Sequence, residues 1–196
     1  FVIILNTVKP ESRETNELRS SLSKKYSVPV ISLNAETMTE KDYIPLKYPP
    51  QDIFISGGYM AVSFKRTTQL YISPINDTSS GKYISLSDRC TGFAMLEETM
   101  YLSVGKALCI LDIEASNASK TNILADYIGS DGKHLYVSDF AGLYKYNSAL
   151  SLVSKAGSAT GKIIVGGGIA AGNVIYNSES LASVSRFSSQ PIAFKG

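Results

Sequence analysis

The sequence has no tryptophan, one histidine and two cysteines in 196 residues, and it has no apolar run of membrane-spanning length. Each absence excludes something. One histidine and two cysteines fall short of a four-ligand zinc site, and Cys90 and Cys109 lie too far apart for a CxxC redox pair. A spanning helix needs about 20 apolar residues, so no membrane span is expected. Phe1 is not followed by the basic, apolar and small-residue regions of a secretory leader, which suits a soluble chain or a processed or truncated product. A net charge of +2 supplies no field to hold nucleic acid or an anionic membrane, so no nucleic-acid partner is expected. What is present, 44% hydrophobic and 18% charged residues, fits a globular protein built as one domain or as a small unit joined to a larger one. Cys90 and Cys109 read either as two buried thiols or as one disulfide between neighbouring strands; pairing would place the chain outside the cytoplasm.

Two regions differ in grammar. The first fifty residues carry 13 of the 36 acidic and basic side chains. "FVIILN" reads as a buried parallel strand delivering polar residues at its carboxyl end. In "ESRETNELRSSLSKKY", Leu18, Leu22 and Tyr26 fall four apart on one helical stripe, with acids in the first turn and Lys24 and Lys25 in the last, which suits the helix dipole. "VPVISLN" reads as a second strand, so a small βαβ unit is expected over residues 1–48.

The features of this stretch run in a recognisable order: an apolar strand ending in Asn6 and Thr7, then Pro10, Glu14-Thr15, Leu18-Arg19, "LSKKY", "VPV", Glu36, Met38 and Asp42. In that order it resembles the end of the ATPase domain in the stage IV sporulation protein A family, ATPases that polymerise as the base layer of a spore coat. The resemblance covers residues 1–43. It implies a cytoplasmic setting and puts Asn6 and Thr7 beside a nucleotide base. The phosphate-binding elements of such domains precede this strand, and base contacts without a phosphate cradle lose the charge-assisted part of the site. A βαβ unit that packs without binding nucleotide is therefore favoured, and no cofactor is expected.

Pro49 and Pro50 mark the boundary, since neither can donate a ladder hydrogen bond. Over residues 49–196 the pattern is that of strands. "YMAVSFKRTTQLYISPIND", "MYLSVGKALCILDIEAS", "LYVSDFAGLYKYNSAL" and "IIVGGGIAAGNVIYNSES" superimpose as apolar strand, short turn, second strand and polar turn. "TGFAMLEET" and "ADYIGSDGK" add a further strand before two of the copies. This resembles β-propeller blades, with "KALCILD" and "AGLYKYN" as third strands. The expected fold is thus mostly β, a propeller-like array of antiparallel blades after a small N-terminal βαβ unit. Four copies suit a small ring, an incomplete ring, or a stack completed by another chain.

Several strings invite chemistry. Gly166, Gly168 and Ala171 satisfy G-x-G-x-x-G/A, yet the second half of a dinucleotide fingerprint is absent, so a Gly-rich strand turn is favoured. Gly161-Lys162 nearly makes a phosphate loop, but Ile163 stands where Ser or Thr must reach magnesium. His134, beside the Asp131-Gly132 turn, has no serine in a nucleophile-elbow setting and reads as an exposed turn residue. Asp112, Asp126, Asp131 and Asp139 suggest paired carboxylates for glycoside chemistry or calcium ligands, with solvated turn acids as the default. Asn76 and Asn117 match the glycosylation pattern in expected turns and matter if the chain is exported. Twelve tyrosines suit a recognition rim, though aromatics favour strands anyway.

No set of catalytic or metal-ligating residues is assembled by these motifs. The function expected is a non-catalytic binding or structural module for protein or glycan partners, or for self-assembly. The alternative is a fragment of a sporulation-type ATPase, and the weaker alternative is a propeller enzyme using acidic residues.

Overall fold

The structure, a computed structural model, describes residues 3–9, 11–26, 30–33, 44–157 and 161–186. The chain forms two compact units, Phe1–Tyr43 and Ile44–Gly196. In the first, β1 (Ile3–Asn6) and β2 (Val30–Leu33) pair in parallel, with Ile3 opposite Val30 and Asn6 opposite Leu33, and α1 (Arg13–Tyr26) runs between them. Parallel pairing demands such a crossover, and the sequence supplies its start signal. Ser12 caps α1 by accepting the Thr15 N–H at 3.2 Å, and the Thr15 hydroxyl donates to the Lys9 carbonyl at 2.9 Å. Glu14 in the first turn and Lys24 and Lys25 in the last complement the helix dipole.

The expected stripe of Leu18, Leu22 and Tyr26 requires correction. Leu18 and Tyr26 are 47% and 48% exposed, and Leu22 is half-buried. Thr15 is the buried residue of the helix, followed by half-buried Arg19 and Leu22. Tethering Thr15 to the turn after β1 rotates the inward face by part of a turn from the one that hydropathy selects. Pro10, Val28, Glu36, Met38 and Asp42 lie outside the described residues.

The second unit is four antiparallel sheets in a four-blade propeller arrangement, each sheet a meander in chain order. Blade 1 contains β3 (Pro50–Ser56), β4 (Tyr59–Phe64), β5 (Gln69–Pro74) and β6 (Lys82–Ser85). Blade 2 contains β7 (Cys90–Leu96), β8 (Thr99–Val104), β9 (Ala107–Asp112) and β10 (Asn117–Leu124). Blade 3 contains β11 (Tyr127–Ser130), β12 (Leu135–Asp139), β13 (Gly142–Tyr146) and β14 (Leu152–Gly157). Blade 4 contains β15 (Ile163–Val165), β16 (Ile169–Ala171), β17 (Val174–Tyr176) and β18 (Ser183–Arg186). The mostly-β propeller architecture expected from the repeats is the observed one.

A lone sheet hides neither of its faces, so each blade depends on its neighbours. Ala61, Leu70 and Ile72 of blade 1 pack on Phe93, Met100 and Leu102 of blade 2. Leu96, Tyr101 and Leu108 then meet Ile128, Leu135 and Val137, and Tyr136 and Leu143 meet Ile169 and Val174. Fully buried side chains of this size each contribute about 1.5–3 kcal/mol. Burial on both faces explains why the second strands, "MAVSF" and "MYLSV", are apolar almost without alternation. The remaining face of blade 1 holds a fourth cluster, in which Val62, Phe64 and Tyr71 are covered by Ile44 and Leu46. Tyr48 adds an edge contact to Phe64 at 5.6 Å between ring centroids, and the Lys47 ammonium sits 4.6 Å above the Tyr83 ring.

A polar device recurs at the joints. The Ser103 hydroxyl donates to the Ala125 carbonyl at 2.6 Å, and that of Ser138 donates to the Gly161 carbonyl at 3.1 Å. Both serines sit near the end of a blade's second strand and reach the chain entering the next blade. Ser63 occupies the matching place in blade 1, and its buried oxygen has no hydrogen-bond partner among the described residues. In blade 4 the matching residue is Ala170.

Pro50, one of the two prolines expected at the boundary, is the first residue of β3 and pairs with Phe64; a proline is tolerated there because the first strand position need not donate. One alternative is settled. The disulfide alternative is not formed. Cys90 and Cys109 are buried free thiols on β7 and β9, with β8 between them. Two strand spacings separate their Cα atoms by at least about 9 Å, beyond the roughly 7 Å reach of a disulfide. Burial pushes the Cys90 thiol up to about 12.

Candidate functional site at the propeller axis

β3, β7, β11 and β15 are the innermost strands of their blades, each paired on one side only. Their first residues converge on a cavity of about 460 Å³. Phe54, Ile128 and Ile163 provide apolar wall, while Asp52, Thr91 and Lys162 supply the polar groups. A concave, mostly apolar space with a few convergent polar groups has the character of a small-molecule or side-chain pocket.

Local sequence explains each polar group. Lys162 follows Gly161, whose φ of +139° lies outside the range favoured by L side chains and whose added Cβ would lie 2.7 Å from the Gly172 Cα. Only glycine permits that approach of the chain to the β16–β17 turn, and the approach sets Lys162 at the cavity mouth. The Lys162 ammonium donates to Asp52 Oδ1 at 2.8 Å, joining the inner strands of blades 4 and 1. With side chains 51% and 26% exposed, the pair contributes at most about 1 kcal/mol and opens readily. Thr91 is held more firmly: its hydroxyl donates to the Asp126 carbonyl at 2.7 Å and lies 2.8 Å from Ser103 Oγ. The cavity can therefore present one ammonium and one carboxylate to a ligand with an apolar body.

The residues singled out in the sequence are dispersed. Asn6 ends β1 and is exposed; Thr7 follows it, with its hydroxyl 3.5 Å from that of Thr15 and accepting the Lys9 N–H at 3.3 Å. None of Asp112, Asp126, Asp131 and Asp139 lines the cavity. Asp139 accepts the Ala141 and Gly142 N–H groups inside its own turn, and Asp112 accepts that of Ala115. Gly166 donates to the Gly168 carbonyl at 2.9 Å, making the Gly-rich string the β15–β16 turn. Asn76 is an exposed turn residue, whereas Asn117 opens β10.

His134 is less exposed than its turn position suggested. Its Nδ1 is buried without a hydrogen-bond partner among the described residues, 3.5 Å from Asp131 Oδ2. Burial pushes the Asp131 carboxyl up, but hydrogen bonds from Tyr136 and from the backbone of Lys133 and His134 outweigh it and hold the group below its ordinary value. Burial and the same carboxylate raise the Tyr136 phenol. Lys145 donates to the Ser178 carbonyl at 2.8 Å, and the Tyr136 hydroxyl, which donates to Asp131 at 2.8 Å, lies 3.3 Å from the same carbonyl, so this cluster fastens blade 3 to a turn of blade 4. Sequence reading missed Asp52 altogether and met Lys162 only as part of a false phosphate loop. The usable signal was Gly161-Lys162 placed just before an apolar strand.

Comparison with known proteins adds a partial relationship. Residues 1–46 match the family model described as stage IV sporulation protein A, ATPase domain. Stage IV sporulation protein A of Clostridioides difficile (strain 630) is 50% identical over 42 residues, 21% of this chain and 9% of that protein. The Bacillus subtilis (strain 168) protein is 39% identical over 145 residues, 66% of this chain and 30% of that protein. Among solved structures, KlHsv2 with loop 6CD replaced by a Gly-Ser linker superposes with a TM-score of 0.49 at 10% identity, covering 68% of this chain and 51% of that one. A likeness at that level carries no functional argument. The chain spans less than a third of the length of these curated relatives, and over residues 1–46 it is similar to the ATPase domain of stage IV sporulation protein A.

Proposed function

We propose that this chain is a non-catalytic binding module whose propeller unit, Ile44–Gly196, holds a protein or glycan partner at the mouth of the axial cavity, with Phe1–Tyr43 as a separate βαβ unit. The observation that supports this reading is the convergence of four inner strands on one apolar cavity bearing a single, loosely held ion pair. Such a mouth suits reversible recognition, because opening Asp52 from Lys162 costs little and frees two opposite charges for a ligand. The test is a ¹⁵N–¹H titration of the full chain with pools of short peptides and of oligosaccharides. Saturable shifts centred on Asp52, Thr91 and Lys162 are expected. Shifts confined to other surfaces, or none with either pool, would overturn the proposal.

A second reading, a piece of a sporulation-type ATPase that assembles into a spore-coat layer, is favoured by the family match over residues 1–46. In it, Asn6 and Thr7 sit beside the base of a bound nucleotide. A ligand that binds only the folded state raises the melting midpoint. A thermal-shift titration with ATP and magnesium therefore tests it: a rise abolished in Asn6→Ala supports the reading, and an unmoved midpoint removes it for this chain.

A further inference from the structure

The antiparallel strand order sends successive turns of each blade to opposite ends of the propeller, and the charges segregate with them. At the end where the inner strands begin and the cavity opens, the turns and blade connections carry Lys65, Arg66, Arg89, Lys106 and Lys162, all exposed. Among the described residues, Lys65, Arg66, Arg89 and Lys106 have no ion-pair partner. The carboxylates at this end are largely occupied: Asp52 is paired with Lys162, Asp139 is buried in its turn and Asp126 is half-buried. Asp88 is the remaining exposed acid there, and its carboxylate accepts the Arg89 N–H at 2.6 Å. The β12–β13 turn at the same end displays Phe140, 77% exposed. The opposite end carries Asp77, Glu97, Glu98, Asp112, Glu114 and Glu179, all exposed, against two exposed cations there, Lys82 and Lys133. A net charge of +2 conceals this dipolar arrangement.

We infer that the basic end docks an acidic, extended protein segment, one of whose apolar side chains enters the axial cavity while its carboxylates meet Lys65, Arg66, Arg89 and Lys106. The inference rests on the binding-module reading and names its partner class. Cation-bearing turn tips around an apolar concavity complement a chain that alternates carboxylates with an apolar anchor. The one-sided strand edges β3, β7, β11 and β15 offer backbone donors and acceptors to such a chain. A glycan is the poorer match, because the mouth offers one ion pair and one hydroxyl already committed to a carbonyl. A flat lipid surface would leave the cavity empty.

The test uses the full chain and fluorescein-labelled short peptides containing one Leu-Phe pair flanked by Glu and Asp, with a Gln/Asn version and a Lys version as controls, followed by anisotropy. The acidic peptide is expected to bind at least about tenfold more tightly than the Gln/Asn version, and to lose that advantage as salt is raised. Lys65→Glu combined with Lys106→Glu is expected to weaken it by about tenfold or more with the circular dichroism unchanged. Should that variant misfold, replacing Leu-Phe in the peptide by Ser-Ser must produce a comparable loss. Equal binding of all three peptides with shifts at Asp52 and Lys162 would sink the acidic-partner inference and leave the binding module standing. Binding of phosphatidylserine vesicles in place of the acidic peptide would overturn it in favour of a membrane. No binding of any peptide or oligosaccharide would remove both.

Discussion

Replacing Ser103 by alanine isolates the contribution of one joint between blades. Ser103 is 0% exposed and its hydroxyl donates to the carbonyl of Ala125, itself 0% exposed. The neighbouring Thr91 hydroxyl is committed to the Asp126 carbonyl, so Ser103→Ala leaves the Ala125 oxygen without a side-chain donor. An unsatisfied buried acceptor costs about 1–3 kcal/mol, and in a unit of this size about 2 kcal/mol lowers the melting midpoint by roughly 4–8 °C. Ser63→Ala is the matched control. The same oxygen in blade 1 is buried without a partner among the described residues, so its removal relieves a desolvated polar group and should be neutral or slightly stabilising. Urea unfolding followed by tyrosine emission suits both variants, since ten of the twelve tyrosines follow Tyr43 and there is no tryptophan. The m-value should stay unchanged, so that a shifted midpoint reports stability. Equal losses in the two variants would refute the claim that the hydroxyl-to-carbonyl bond, and not the packing of a small side chain, secures the joint.

Four further outcomes follow from local geometry. Glu97 holds a φ of +54° in the exposed β7–β8 turn, so Glu97→Gly should gain about 0.5–1 kcal/mol in the same assay. Gly57→Ala in the matching turn of blade 1 should lose stability, because its Cβ would lie 2.5 Å from Met95 Sδ at a φ of +55°. Burial pushes the Cys90 thiol up to about 12 from an ordinary value of 9.0. Stability from its neutral thiol is full below about pH 9 and lost as pH rises toward the folded value, by on the order of 4 kcal/mol. Cys90→Ala should flatten that alkaline loss, and an unchanged alkaline limb would show that the thiol is not the titrating group. Asp131 is held below its ordinary value, so its contribution is present above about pH 4 and lost as pH falls through the depressed folded value. Urea midpoints measured between pH 5 and pH 3 should fall less steeply for Asp131→Asn than for the parent chain.

The sequence by itself determined the strand-rich repeats, because the second and third strands of a blade are buried on both faces and so carry runs such as "MYLSV" and "LYVS" that hydropathy cannot miss. It also determined β1, α1 and β2, where the period changes and Glu14, Lys24 and Lys25 mark the helix ends. The outer strands were illegible for the converse reason: β10, β14 and β18 are solvated along most of their length, so "NASKTNIL" and "SVSR" look like turns until the neighbouring strand supplies their hydrogen bonds. Tertiary structure alone decided the site. Asp52 and Lys162 stand 110 residues apart and meet because two blades bring their inner strands to one axis, and Lys65, Arg66 and Lys106 share an end with them because strand direction alternates. Local periodicity encodes which face of a strand is buried, but which strands are brought together, and which charges then face one another, depends on packing between distant segments.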